Sequence, residues 1–216
     1  LIRLTDDTGV IQHASYSVPA RSTGYCVDDN ALALIVALQA DRISSDSKTK
    51  RLVTTYLSYL YRSQTETGDF KNLMSYDRIL GSGPGSEDCL GRAIWALGST
   101  VELAADEGCS RLAKDMLNRA LPRAMDLGPR GTALSILGLV SFIAVEPSDA
   151  GARDSMCAMA EKLVKRYQQE SAEDWHWFEP TLTYDNAIIP LALFQAYSVT
   201  TERSRLPVAR ESLVFL

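Results

Sequence analysis

Four stretches of this 216-residue chain are apolar on nearly every side of a helix, and an amphipathic stretch follows each one. Asp28-Asp29-Asn30 runs directly into Ala31-Leu32-Ala33-Leu34-Ile35-Val36-Ala37-Leu38. A helix with no polar face has to be surrounded by protein. Asp or Asn in its first turn caps free N–H groups and faces the positive end of the helix dipole. The same design returns as Ser86-Glu87-Asp88 before Cys89-Leu90-Gly91-Arg92-Ala93-Ile94-Trp95, and as Tyr184-Asp185-Asn186 before Ala187-Ile188-Ile189-Pro190-Leu191. A fourth apolar helix is Ala133-Leu134-Ser135-Ile136-Leu137-Gly138-Leu139. Three buried helices are therefore expected to begin in acid, where the core opens.

The periodicity predicts helices over about 28–43, 50–61, 87–106, 109–126, 131–145, 151–170, 186–198 and from 203 onward. Buried and amphipathic types alternate strictly. Buried helices open near 28, 87, 131 and 185, a repeat of the length expected for stacked helical hairpins. An open superhelix and a closed α/α toroid both satisfy this alternation. The toroid is favoured, because an open solenoid would wet one face of helices that are apolar all round. Its predicted fold class is all-α, with about four hairpins in 1–216 as one domain. The last residues, Glu211 to Leu216, stop inside an apolar run, so the chain is expected to be part of a longer toroid.

Two non-helical excursions interrupt the hairpins, Thr65 to Pro84 and Ala172 to Thr183. Long loops in a helical domain are usually functional. The first is expected to carry a short extended piece over Gly68 to Arg78. A similar short piece is expected at Val10 to Ala14, with loop from Pro19 to Gly24.

Composition removes several function classes. A formal charge of −5 argues against a nucleic-acid face, which needs clustered Lys and Arg. No window reaches the roughly 20 apolar residues of a membrane span. Cys26, Cys89, Cys109 and Cys157 form no Cys-x-x-Cys pair and sit in or beside helices, so they are expected to be small buried hydrophobes in a reducing, cytoplasmic setting. His13 and His176 are the only histidines, so no metal site and no cofactor is expected.

Several motifs resemble a bacterial family of six-hairpin glycosidase-like domains: Thr5-Asp6-Asp7-Thr8-Gly9-Val10-Ile11-Gln12-His13-Ala14, Gly24-Tyr25-Cys26-Val27-Asp28-Asp29-Asn30-Ala31, Asp69 through Arg78, Gly85 through Ala93, and Trp177 through Ala187. The resemblance spans nearly the whole chain. It implies an α/α toroid acting on carbohydrate. Family members often carry the name glycosyltransferase or are fused behind one of the retaining, two-Rossmann kind, which implies a fused or partner glycosyltransferase. Leu32 stands where the family commonly has Arg. No Gly-rich strand-to-helix turn marks a nucleotide-sugar site in this chain.

If inner helices stand side by side with one polarity, their first turns share a rim. Helix axes lie about 8–10 Å apart, which sets Asp28 or Asp29 roughly 6–10 Å from Glu87 or Asp88. Inverting glycosidases hold their acid and base about 6.5–9.5 Å apart. These four acids are the candidate catalytic residues. A helix N-terminus favours carboxylate, which suits Asp29 as base; crowding by Asp88 makes Glu87 the candidate acid. Candidate substrate-binding residues are the aromatics Tyr25, Tyr76, Trp175, Trp177 and Tyr184, whose rings suit sugar faces, and the polar groups Asp77, Arg78, Arg92, Glu179, Asp185 and Asn186. Each acid taken singly is explained by capping, although Ser86 and Thr183 already supply caps. Trp175, Trp177 and Phe178 serve equally well as a loop plug over the core. Arg92, one turn into an apolar helix, needs a carboxylate partner. The expected activity is hydrolysis of an oligosaccharide at the acidic mouth. The alternatives are a non-catalytic carbohydrate-binding accessory domain and a helical-repeat protein scaffold.

Overall fold

The computed structural model describes residues 1–83 and 85–216; Pro84, assigned above to the first loop, lies outside the described residues. Among the described residues eight α-helices form four consecutive hairpins: α1 (Val27–Ile43) with α2 (Ser47–Ser63), α3 (Glu87–Leu103) with α4 (Glu107–Ala124), α5 (Pro129–Val145) with α6 (Ala150–Glu170), and α7 (Ile188–Thr200) with α8 (Arg205–Phe215). The apolar helices pack in the order α1–α3–α5–α7, and each amphipathic helix lies against its own hairpin partner. Inner and outer layers thus follow the predicted alternation in an arc of four hairpins. On its inner helices Leu32, Val36 and Leu191 remain exposed, and Trp95 is only partly buried beside Ile35 and Gln39. No described helix is long and apolar enough to cross a membrane.

The tightest inner contact is glycine on glycine. Gly91 and Gly98 of α3 meet Gly131 and Gly138 of α5, with the same seven-residue spacing on both helices. Without side chains at these positions the two backbones touch, which draws the N-termini of α3 and α5 together.

Two helices are capped otherwise than the sequence reading has them. The cap of α1 is Cys26, whose Sγ accepts from the Asp29 N–H at 3.4 Å, so Asp28 and Asp29 lie within the first turn and their carboxylates are free for other partners. The α7 helix opens at Ile188 with no side-chain cap, so Tyr184, Asp185 and Asn186 belong to the preceding loop and Thr183 is no cap. The Asp185 backbone, at φ 51°, is left-handed and cannot continue into the helix. Ser86 caps α3 as expected, its Oγ accepting from the Cys89 N–H at 3.1 Å.

Two short antiparallel pairs form, one within the N-terminal segment and one tying that segment to the first excursion. Strands β1 (Ala14–Ser15) and β2 (Val18–Pro19) form one, β3 (Tyr25–Cys26) and β4 (Leu73–Met74) the other. Asn30, fully buried, locks the segment onto α1: its Oδ1 accepts from the Val10 N–H at 2.9 Å and its Nδ2 donates to the Cys26 carbonyl at 2.8 Å. All four cysteines are free, Cys26 and Cys89 buried and the other two half-buried.

Candidate functional site

The first turns of α1 and α3 and the loop before α7 converge on one network. Asp28 is held on both oxygens: Oδ1 accepts from Arg92 Nη1 at 2.7 Å, Oδ2 from Asn72 Nδ2 at 2.8 Å. Arg92, only 15% exposed, also places Nη2 3.8 Å from Asp185 Oδ2. Burial works against its charge, yet the Asp28 hydrogen bond and field outweigh it and hold its pKa above the ordinary value. The carboxylate partner demanded by an Arg in an apolar helix is therefore the acid at the mouth of the neighbouring helix.

Asp88 accepts a hydrogen bond from the Tyr184 hydroxyl, which raises the phenol's pKa, with burial adding to the effect. The Tyr184 ring lies against Arg130, whose guanidinium carbon is 5.1 Å from the ring centroid. Arg130 in turn forks onto Glu179, with Nη1–Oε2 at 2.9 Å and Nη2–Oε1 at 3.1 Å. Asp29 is half-buried beside these groups in sequence but faces Cys26, whose Sγ–H donates to Asp29 Oδ2 at 3.0 Å; burial first, then this contact, pushes the thiol up to about 12. Asn186 Oδ1 accepts weakly from the Thr183 N–H at 3.4 Å, which shapes the loop.

Other candidates lie elsewhere. Glu87 is exposed and turned to the next helix, where Oε2 accepts from the Gly128 N–H at 2.7 Å at the start of α5. It lines grooves with Asp126 and Leu127, and its hydrogen bond reaches neither the Asp28–Arg92–Asp185 group nor the Asp88–Tyr184 pair. Tyr25 is 1% exposed, donates to Asp6 Oδ2 at 2.6 Å and has its ring stacked on Tyr76, so it does not face a ligand. Arg21 covers Tyr76 at 5.9 Å, Arg78 Nη2 bridges both Asp7 oxygens at 2.8 Å, and Asp77 bonds to Ser75. These form a second cluster that fastens the excursion to the N-terminal segment.

Trp177 and Phe178 are fully buried, edge to face at 5.2 Å, so of the two readings of this loop the plug describes them. Trp177 is therefore no platform as the chain stands. Trp175 is half-buried, its ring edge-on to Phe215 and its indole N–H donating to the Glu179 carbonyl at 2.9 Å. Their apolar mass outweighed their position in an irregular loop.

Two members of the network were missed in the sequence. Asn72 lies within the quoted Asp69–Arg78 motif, without a feature that sets it apart. Arg130 had a signal: like Arg92, it is a charge in the first turns of an otherwise apolar helix.

No family model matches the sequence, and no curated protein matches it. Solved structures do. A D-mannose isomerase aligns with a TM-score of 0.72 at 13% identity over 98% of this chain and 65% of its own. Cellobiose 2-epimerase from Bacillus thermoamylovorans B4167 aligns with a TM-score of 0.77 at 9% identity, over 99% and 67%. A GH76 α-mannanase from Bacteroides thetaiotaomicron aligns with a TM-score of 0.64 at 11% identity, over 90% and 61%. At such identities the likeness is one of fold. The chain has the α/α-toroid fold of these sugar epimerases and glycosidases, and it spans about two thirds of their length.

Proposed function

We propose that the mouth formed by Asp28, Asp88, Arg92, Tyr184 and Asp185 binds an oligosaccharide and hydrolyses it. The observation that carries this reading is the convergence of an acid from one inner helix, Asp28, and one from a loop, Asp185, on the half-buried Arg92, with Asp88 of a second inner helix bonded to the exposed Tyr184 beside them. Asp28, held by two donors, serves as the fixed anion. Asp88 takes the acid role first given to Glu87: protonated in the sugar complex it would give its proton to the glycosidic oxygen, and the Tyr184 hydroxyl donates to the carboxylate so formed. Asp29, bonded to a protonated thiol, remains the candidate base. Neither His13 nor His176 is bonded to this network; His176 packs on Phe215.

The saturation of Asp28 and Glu179 by arginine favours a second reading, a non-catalytic carbohydrate-binding domain. An accessory role beside a fused or partner glycosyltransferase, implied by the family resemblance, belongs to this reading. Free cysteines fit a cytoplasmic setting.

Release of reducing ends from a library of neutral and acidic oligosaccharides tests hydrolysis. Asp88→Asn and Asp28→Asn should each abolish turnover, whereas Glu87→Gln should leave it within about threefold, since a lost exposed contact is worth little. Full turnover in both Asn variants refutes the assignment. Saccharide binding without turnover in the parent protein selects the accessory role.

A further inference from the structure

Tyr184 stands on the irregular stretch between Pro180 and Ala187, every residue of which is exposed except the half-buried Asn186, and is itself 55% exposed. A side chain in such a segment is ordinarily mobile. This one is fixed twice, by its hydroxyl on Asp88 and by the Arg130 guanidinium against one face. Arg130 is itself immobilised: its side chain is 11% exposed and its fork occupies both Glu179 oxygens. Glu179 is anchored through its backbone carbonyl to the Trp175 indole. A rigid chain thus runs from the buried loop plug through Glu179 and Arg130 to one face of an exposed ring.

We infer that Arg130 is a positioning residue that holds Tyr184 as the stacking platform for a neutral hexopyranose ring. The inference rests on the sugar-binding reading above and names the ligand class and the residue that sets it. An aromatic ring with one face covered and its edge tied presents the other face to the C–H face of a pyranose, and preorganisation removes the ordering cost of that contact. Neutrality follows from the surrounding charge. Asp88 is bonded to the ring's hydroxyl and Asp185 is its neighbour in the chain, while Arg92 is matched by Asp28 and Asp185 and Arg130 by Glu179, leaving neither guanidinium free for a uronate or sulfate.

Two measurements on the whole chain test it. Titration calorimetry with cellobiose, mannobiose and a glucuronate-containing disaccharide should show binding of a neutral sugar that Tyr184→Ala and Arg130→Met each weaken by about tenfold. Arg130→Lys, which keeps the charge but not the planar fork, should be intermediate. Separately, in protein labelled with 3-fluorotyrosine, the ¹⁹F resonance lost in Tyr184→Phe identifies residue 184 among the nine tyrosines. In Arg130→Met, without sugar, that resonance alone should move towards the free amino acid while the others stay in place. A general loss of structure would move them all. An unmoved resonance, or unchanged sugar affinity in Arg130→Met, overturns the positioning role and leaves the sugar-binding reading standing. Tighter binding of the glucuronate disaccharide overturns the neutral class. Failure of the parent protein to bind any of the three overturns the sugar-binding reading and the platform with it, whatever the resonance does.

Discussion

Replacing Gly98 by alanine should destabilise this protein, although alanine is the better helix former. A Cβ at position 98 would lie 1.9 Å from the Gly138 carbonyl oxygen and 2.5 Å from its carbonyl carbon. Ordinary contact begins near 3.4 Å, leaving a shortfall of about 1.5 Å. The obstacle is backbone, so no side chain can rotate away, and α3 and α5 must separate along the length of their contact. Overpacking costs about 1–3 kcal/mol, and a rigid obstacle belongs at the upper end. Helix propensity returns about 1 kcal/mol, for a net loss of about 2 kcal/mol. With a urea m value of about 2–3 kcal/mol/M, the unfolding midpoint followed by circular dichroism should fall by about 0.7–1 M. Gly151→Ala is the control, since its Cβ would meet nothing closer than Asp149 Oδ1 at 3.5 Å; it should be neutral or stabilising by up to about 1 kcal/mol. A Gly98→Ala midpoint equal to or above that of the parent would refute the glycine-on-glycine account of the α3–α5 contact.

Asn30→Ala should cost about 1–3 kcal/mol in the same urea assay, because it strands the Val10 N–H in a buried site; a change below about 0.5 kcal/mol would mean that the N-terminal segment is not fastened there. Alkali should destabilise the fold. Burial raises Cys26 from 9.0 to about 12 and moves Cys89, Tyr25 and Tyr59 further up, so above about pH 9 the unfolded chain releases protons that the folded chain retains. The unfolded state then binds fewer protons, and stability falls as pH rises from 9.0 towards 12 by up to about 1.4 kcal/mol per pH unit for each group. Unfolding midpoints that hold steady across that range would contradict the burial of these groups.

The hairpin architecture was legible because it depends on periodicity alone. A helix with apolar residues on every side can only be inner, an amphipathic one can only be outer, and their alternation along the chain is a local pattern. Arg92 was legible for the same kind of reason, since a guanidinium amid Ala93, Ile94 and Cys89 requires an anion, and the acids at the helix mouths were the nearest supply. Residue types could not say which acid it would take, where Glu87 would turn, or that Tyr25 would be sealed beneath Tyr76. Glu87 and Asp88 are adjacent in sequence but point, one residue apart on a helix, to different neighbours: the start of α5 and the Tyr184 loop. The aromatic loop shows the same limit. Trp177 and Tyr184 carry the same sequence signal, an aromatic in a non-helical stretch, yet one is fully buried and the other exposed. Sequence by itself determined the all-α hairpin order and the need for charge compensation at the mouth, both properties of single helices in contact with a nonpolar interior. Only the tertiary structure decided the network Asp28–Arg92–Asp185 and Asp88–Tyr184–Arg130–Glu179, because its members lie up to 157 residues apart and meet through the packing of three helices and a loop.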